Sequence, residues 1–134
     1  MAGYPENRLH RLRKTAGIRD LVRETKLSVK NLIFPIFITY GENIKTEIKS
    51  MPGNYQISLD NLPGEIREIT SWGIPGVLLF GLPRKKDETG SYASSSNGLV
   101  QEAIRITKHT NPDILVITDL CLCGYTIHGH CGIL

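Results

Sequence analysis

The sequence predicts an α/β fold built on a parallel sheet. Three short apolar runs, residues 32–39, 76–81 and 114–118, have the length of strands and lack the in–out alternation of a half-exposed strand. The runs are separated by stretches whose apolar residues recur every three or four positions, as in an amphipathic helix. Strand, helix, strand, helix, strand, with strands of buried type, implies parallel neighbours joined by crossovers. The chain has 134 residues, 40% hydrophobic and 22% charged, enough for one domain with a core.

Residues 1–16 are polar and basic without a strong period, which reads as an extended arm. Ile18, Leu21 and Val22 have helical spacing, so residues 1–30 are expected to form an arm with one short helix, ahead of an α/β portion over 31–134. In the first strand, 32–39, Pro35 cannot donate to a ladder, so the strand is expected to be edge-like or distorted there. Residues 41–55, with the turn-prone Ser50-Met-Pro-Gly53, are too irregular for an element.

Ser58 stands where an N-cap would, ahead of Leu59, Leu62, Ile66 and Ile69, and Gly73 follows the end of that helix. Residues 76–81 form the second strand. In the polar loop 83–91, Asp87, Gly90 and Ser91 read as turn chemistry, and Lys85-Lys86 lacks the glycine-rich context of a phosphate site. After a flexible stretch at 94–98, Leu99, Val100, Ala103, Ile104 and Ile106 mark a helix that Asn111-Pro112 ends. Residues 114–118 are the third strand, whose free edge needs cover from another chain or later sequence, so the whole reads as part of a fold.

The net charge of +3 is modest and concentrated in Arg8-Leu-His-Arg-Leu-Arg-Lys14. With 7% aromatic residues and no broad basic face, nucleic-acid binding is not indicated. No apolar run approaches the roughly 18 residues that cross a bilayer, and no charged-then-apolar leader opens the chain. Three cysteines, two of them one residue apart, do not make a disulfide framework, so a reducing cytoplasm is expected.

All three cysteines fall in Asp119-Leu-Cys-Leu-Cys-Gly-Tyr-Thr-Ile-His-Gly-His-Cys-Gly132, directly after the third strand. In parallel α/β folds ligand chemistry sits where strands end and loops begin. Cys121, Cys123 and Cys131 can converge as thiolates on a zinc ion and leave a fourth position open, the catalytic pattern. The alternatives are cysteines packed as small hydrophobes and a strained Cys-x-Cys redox pair. His128 and His130 could be ligands, orienting groups or proton carriers, or purely structural. Asp119 could bind a substrate amine or cap the loop backbone.

These residues resemble the zinc signature of porphobilinogen synthase, also called 5-aminolevulinate dehydratase. Further segments are similar in the same order: residues 8–13, 21–25, 32–37, 50–53, 79–81 and 86–91. The resemblance implies the first three β/α units of a (β/α)8 TIM barrel, preceded by an arm that wraps a neighbouring copy, usually in a homo-octamer. It implies a lyase that condenses two 5-aminolevulinate molecules, with loss of water, to porphobilinogen for haem synthesis. It assigns zinc to Cys121, Cys123 and Cys131, an active-site role to Asp119, and a second, weaker metal site in some members to His130.

The family's two Schiff-base lysines match no position in these residues, so this chain by itself is expected to lack turnover. Two readings of other classes stand beside it. One is a non-catalytic relative that binds zinc or self-associates through its open sheet; the other is a zinc hydrolase using Asp119 or His128 as base.

Overall fold

The computed structural model describes residue 3, residues 5–6 and residues 8–132. Five strands form one mixed sheet: β1 (Ile33–Thr39), β2 (Lys45–Glu47), β3 (Tyr55–Ser58), β4 (Gly76–Leu82) and β5 (Leu115–Thr118), in the order β2-β3-β1-β4-β5. All neighbours are parallel except β2 with β3. The carboxyl ends of β1, β4 and β5 therefore share one edge, and the loops that follow them meet there.

The three predicted strands are present, but two further strands were not foreseen. Residues 41–55, expected to be irregular, contain β2, and they run into β3 beside β1. A four-residue strand carries too little pattern to be read locally; it is stabilised by its pairing with Phe37–Thr39. Pro35 pairs with Leu78 of β4 but lies two residues before the β3 ladder begins, so β1 has a free side at the residue that cannot donate.

Helices α2 (Leu62–Ser71) and α3 (Leu99–Thr110) cover one face of the sheet. Ile36 and Ile38 of β1, Val77 and Leu79 of β4, and Ile57 of β3 turn to that face and are buried against Leu62, Ile66, Ile69, Leu99 and Ala103. The intervening residues lie on the other face, where Phe37 stacks on Phe80 at 5.2 Å and Ile33 and Leu115 are half exposed. The strands were expected to be covered on both faces; among the described residues only one is.

Ser58 is not the cap of α2. It ends β3, fully buried, and its Oγ accepts the Ile44 N–H at 2.8 Å and an Asn61 Nδ2–H at 3.3 Å. Asn61 is the N-cap residue, but its side chain also turns to Ile44, donating to that carbonyl at 3.0 Å. Both polar side chains hold the segment entering β2 rather than the helix. Gly73 follows α2 with φ +77°, a left-handed conformation in keeping with its predicted place.

Near the amino terminus, a 3-10 turn (Leu9–Arg13) precedes helix α1 (Ala16–Leu21), which Thr15 caps by accepting the Ile18 N–H at 3.2 Å. No residue of α1 is buried. No helix among the described residues is long and apolar enough to cross a membrane.

Ser58→Ala leaves the half-buried Ile44 N–H without its acceptor and is expected to cost about 1–3 kcal/mol in urea unfolding. Ile66→Ala, which opens a cavity between α2 and the sheet, is expected to cost about 2–5 kcal/mol.

Candidate metal centre

β5 ends at Thr118, which places Asp119 at the carboxyl edge of the sheet and Cys121 two residues beyond it. The chain then turns back, with the Tyr125 N–H donating to the Leu122 carbonyl at 2.8 Å and the Thr126 N–H to the same oxygen at 3.0 Å. A second reversal uses Gly129 at φ +74°, and the buried Thr126 hydroxyl donates to the His130 carbonyl at 3.1 Å. The two turns bring Cys131 back over Cys121 and Cys123.

The Sγ of Cys131 lies 3.3 Å from that of Cys121 and 3.1 Å from that of Cys123. All three sulfurs fall within 4.8 Å of one another, and the Leu122 N–H points at the Cys131 sulfur at 3.1 Å. These separations exceed a disulfide bond, about 2.05 Å, and all three cysteines are free. None is buried, unlike a cysteine packed as a small hydrophobe. Around a tetrahedral ion with metal–sulfur distances of about 2.3 Å, sulfurs stand about 3.8 Å apart, so the triangle fits an ion after opening by roughly half an ångström. Among the described residues this is the one cluster whose donor atoms converge for a metal.

Neighbouring thiols perturb one another. Sharing hydrogens with Cys123 and Cys121, together with the Leu122 N–H, lowers the Cys131 thiol to about 7. The same contacts, with Cys131 and then Cys121, push Cys123 up to about 11. Of these two thiols, Cys131 therefore gives up its proton before Cys123.

A parallel bridge fixes this loop to the one after β4. The Asp87 N–H donates to the Tyr125 carbonyl at 3.2 Å, and the Ile127 N–H to the Asp87 carbonyl at 3.1 Å. Asp87 is itself anchored, its Oδ1 accepting the Thr89 N–H at 3.1 Å and the Ser91 N–H at 3.0 Å, and its Oδ2 the Ser91 hydroxyl. The Ser91 hydroxyl and then its N–H hold the Asp87 carboxyl below the usual carboxylate range. The turn chemistry expected of Asp87, Gly90 and Ser91 is present, with Gly90 at φ +67°.

Asp119 is exposed and lines a cavity of about 210 Å³ with Phe37, Phe80, Leu82, Cys121 and Tyr125. An adjoining cavity of about 230 Å³ again contains Asp119, Cys121 and Tyr125, with Val100 and Gln101 from α3. Tyr125 escaped the sequence reading. Its ring packs over Gly81, where a Cβ would come within 2.8 Å of the phenolic oxygen and 2.5 Å of Val100 Cγ2. Burial, then the fields of Tyr40 and Asp119, raises its pKa above the ordinary tyrosine value, so it remains a protonated donor beside Asp119.

His128 and His130 stand outside the sulfur triangle, their rings stacked with centroids 6.1 Å apart. No lysine lines either cavity among the described residues. Lys108 lies at the opposite end of β5, where its Nζ donates to the Pro112 and Ile114 carbonyls at 2.9 and 2.7 Å. A larger groove of about 710 Å³ runs between α2 and α3, past Arg67, Arg105 and His109. It contains none of the predicted site residues and lies on the helix layer, away from the sheet edge.

The family model described as delta-aminolevulinic acid dehydratase matches residues 6–134. The delta-aminolevulinic acid dehydratases of Halalkalibacterium halodurans and Staphylococcus epidermidis are 54% and 51% identical to the chain over 127 and 128 residues, 95% and 96% of it. The chain spans 39% and 40% of the length of these curated relatives. It also superposes with a TM-score of 0.88 and 32% identity on the Toxoplasma gondii delta-aminolevulinic acid dehydratase (porphobilinogen synthase) crystallised with its reaction product porphobilinogen. That match covers 96% of this chain and 37% of the other.

In metal-free protein, iodoacetamide at neutral pH is expected to label Cys131 before Cys123, read by peptide mass spectrometry. Equal labelling of Cys131 and Cys123 would contradict the unequal sharing of protons between them.

Proposed function

The chain belongs to the delta-aminolevulinic acid dehydratase family, and from that premise we propose that it is the amino-terminal portion of a zinc-dependent porphobilinogen synthase. In this reading β1, β4 and β5 are the first three strands of a (β/α)8 barrel, and the uncovered sheet face, with Phe37 and Phe80, turns to the barrel interior. The segment over residues 1–30 is the arm through which copies associate. The reaction is the condensation of two 5-aminolevulinate molecules, with loss of water, in haem biosynthesis in the cytoplasm.

The observation that carries this reading is the convergence of three cysteine sulfurs beside Asp119 at the carboxyl edge of a parallel sheet. Cys121, Cys123 and Cys131 hold zinc, and soft thiolate donors in a tetrahedral arrangement select it over hard cations. Zinc bound there supplies Lewis-acid polarisation of a substrate carbonyl. Asp119, exposed on the cavity wall, accepts a hydrogen bond or proton from the substrate amine. Tyr125, held protonated beside it, donates to a substrate oxygen. His130 serves the second, weaker metal site that the resemblance assigns to it. The reading is also supported by the Toxoplasma gondii relative, whose structure holds porphobilinogen.

Imine formation needs a lysine with a lowered pKa in a desolvated pocket. The lysines that the family uses match no position among these residues, and the cavities beside Asp119 contain none. The 134-residue chain therefore binds zinc without turning substrate over. A second reading, a non-catalytic relative that binds zinc and self-associates, draws on the half-exposed Ile33 and Leu115 of the uncovered face and on β5, which among the described residues has a neighbour on one side only.

Metal analysis is expected to find one zinc per chain, with each Cys→Ser change weakening affinity by on the order of 100-fold or more. Chain incubated with 5-aminolevulinate is expected to yield no porphobilinogen by colorimetric assay. Product formation would refute the assignment of imine chemistry to residues outside this sequence.

A further inference from the structure

Between Thr126 and Cys131 the chain is exposed and reverses direction at Gly129. Its backbone ties are few: Ile127 to Asp87, and the His130 carbonyl to the Thr126 hydroxyl. The side chain of His128 adds two more. Its Nδ1 accepts the His130 N–H at 3.3 Å, and its Nε2 lies 3.2 Å from the Glu88 carbonyl. A carbonyl only accepts, so Nε2 carries the proton, and Nδ1, facing an N–H, is bare; the hydrogen-bond network assigns one neutral tautomer.

We propose that His128 is a positioning residue for the metal centre, an imidazole strap that spans from the loop after β4 to the backbone N–H of His130, the residue before Cys131, and holds that cysteine over Cys121 and Cys123. The inference rests on the reading of the three cysteines as metal ligands, and it assigns His128 no bond to the ion. A ligand on an exposed loop loses conformational freedom when it binds; ordering it beforehand removes part of that cost. Groups that orient metal ligands in this way typically change metal affinity 10- to 100-fold. His128 spends both ring nitrogens on backbone partners 40 and 2 residues away, so it cannot also face a metal or substrate while the strap is closed.

The strap is testable through metal binding alone. Zinc affinity by chelator competition and the thiolate-to-cobalt absorption of the Co(II)-substituted chain are measured for wild type, His128→Ala, His128→Asn and His128→Gln. Asn places an acceptor near the Nδ1 position and Gln a donor near the Nε2 position, so each restores one arm of the strap. The expected result is a loss of about 10-fold in zinc affinity for Ala with an altered cobalt spectrum, and smaller losses for Asn and Gln.

A loss below threefold for Ala, or Asn and Gln as weak as Ala, overturns the proposal. The 15N spectrum of wild type gives a reading free of any variant: protonated Nε2 with bare Nδ1 supports the strap, and the opposite tautomer overturns it. Wild-type chain that binds no zinc removes the metal reading and the strap together, whereas normal wild-type binding with an unaffected Ala variant removes the strap alone.

Discussion

Two backbone hydrogen bonds, Asp87 N–H to Tyr125 C=O and Ile127 N–H to Asp87 C=O, hold the cysteine loop against its neighbour. Everything at the site depends on them. They fix the peptide groups on both sides of Thr126, whose buried hydroxyl then draws His130 inward, and that reversal carries Cys131 to the other sulfurs. The bridge needs Asp87 to be rigid, which the four hydrogen bonds its carboxylate accepts from Thr89 and Ser91 provide. Gly90 contributes differently: buried, in a left-handed conformation, it lets Thr126 and Tyr125 approach to where a Cβ would already be in contact.

Beneath the loops, the parallel sheet supplies the common edge. Because β1, β4 and β5 run in one direction, Tyr40, the loop at 83–91 and Asp119 all emerge at the same end. The helix-covered face carries the apolar core, so the sheet end is fixed by packing that involves no site residue. Gly81 links the layers, since only a residue without Cβ lets both Val100 of α3 and the Tyr125 phenol close over the end of β4.

Much of this was legible from the chain. The runs at 32–39, 76–81 and 114–118 mark strands because burial on the helix side and apolar contact on the other leave no polar alternation. The clustered cysteines mark a set of donor atoms that could hold a metal, and the structure brings their three sulfurs together. β3 was hidden because four residues, Tyr55–Ser58, owe their conformation to β1 rather than to their own sequence. Ser58 misled because its position satisfies the local rule for a cap, while the half-buried Ile44 N–H competes for its hydroxyl and wins. The place of Tyr125 could not be read, and an orienting role for His128 stood only as one reading among several: both depend on segments about 40 residues apart in sequence meeting in space.

The central claim is that Cys121, Cys123 and Cys131 of one chain close around a single zinc ion and leave one position for a lighter ligand. X-ray absorption at the zinc edge on the stoichiometrically loaded chain tests it most directly. The account predicts three sulfurs at about 2.3 Å and one oxygen or nitrogen. Four sulfurs, which would require a thiolate from a second chain, or two sulfurs completed by histidine nitrogens, would contradict it.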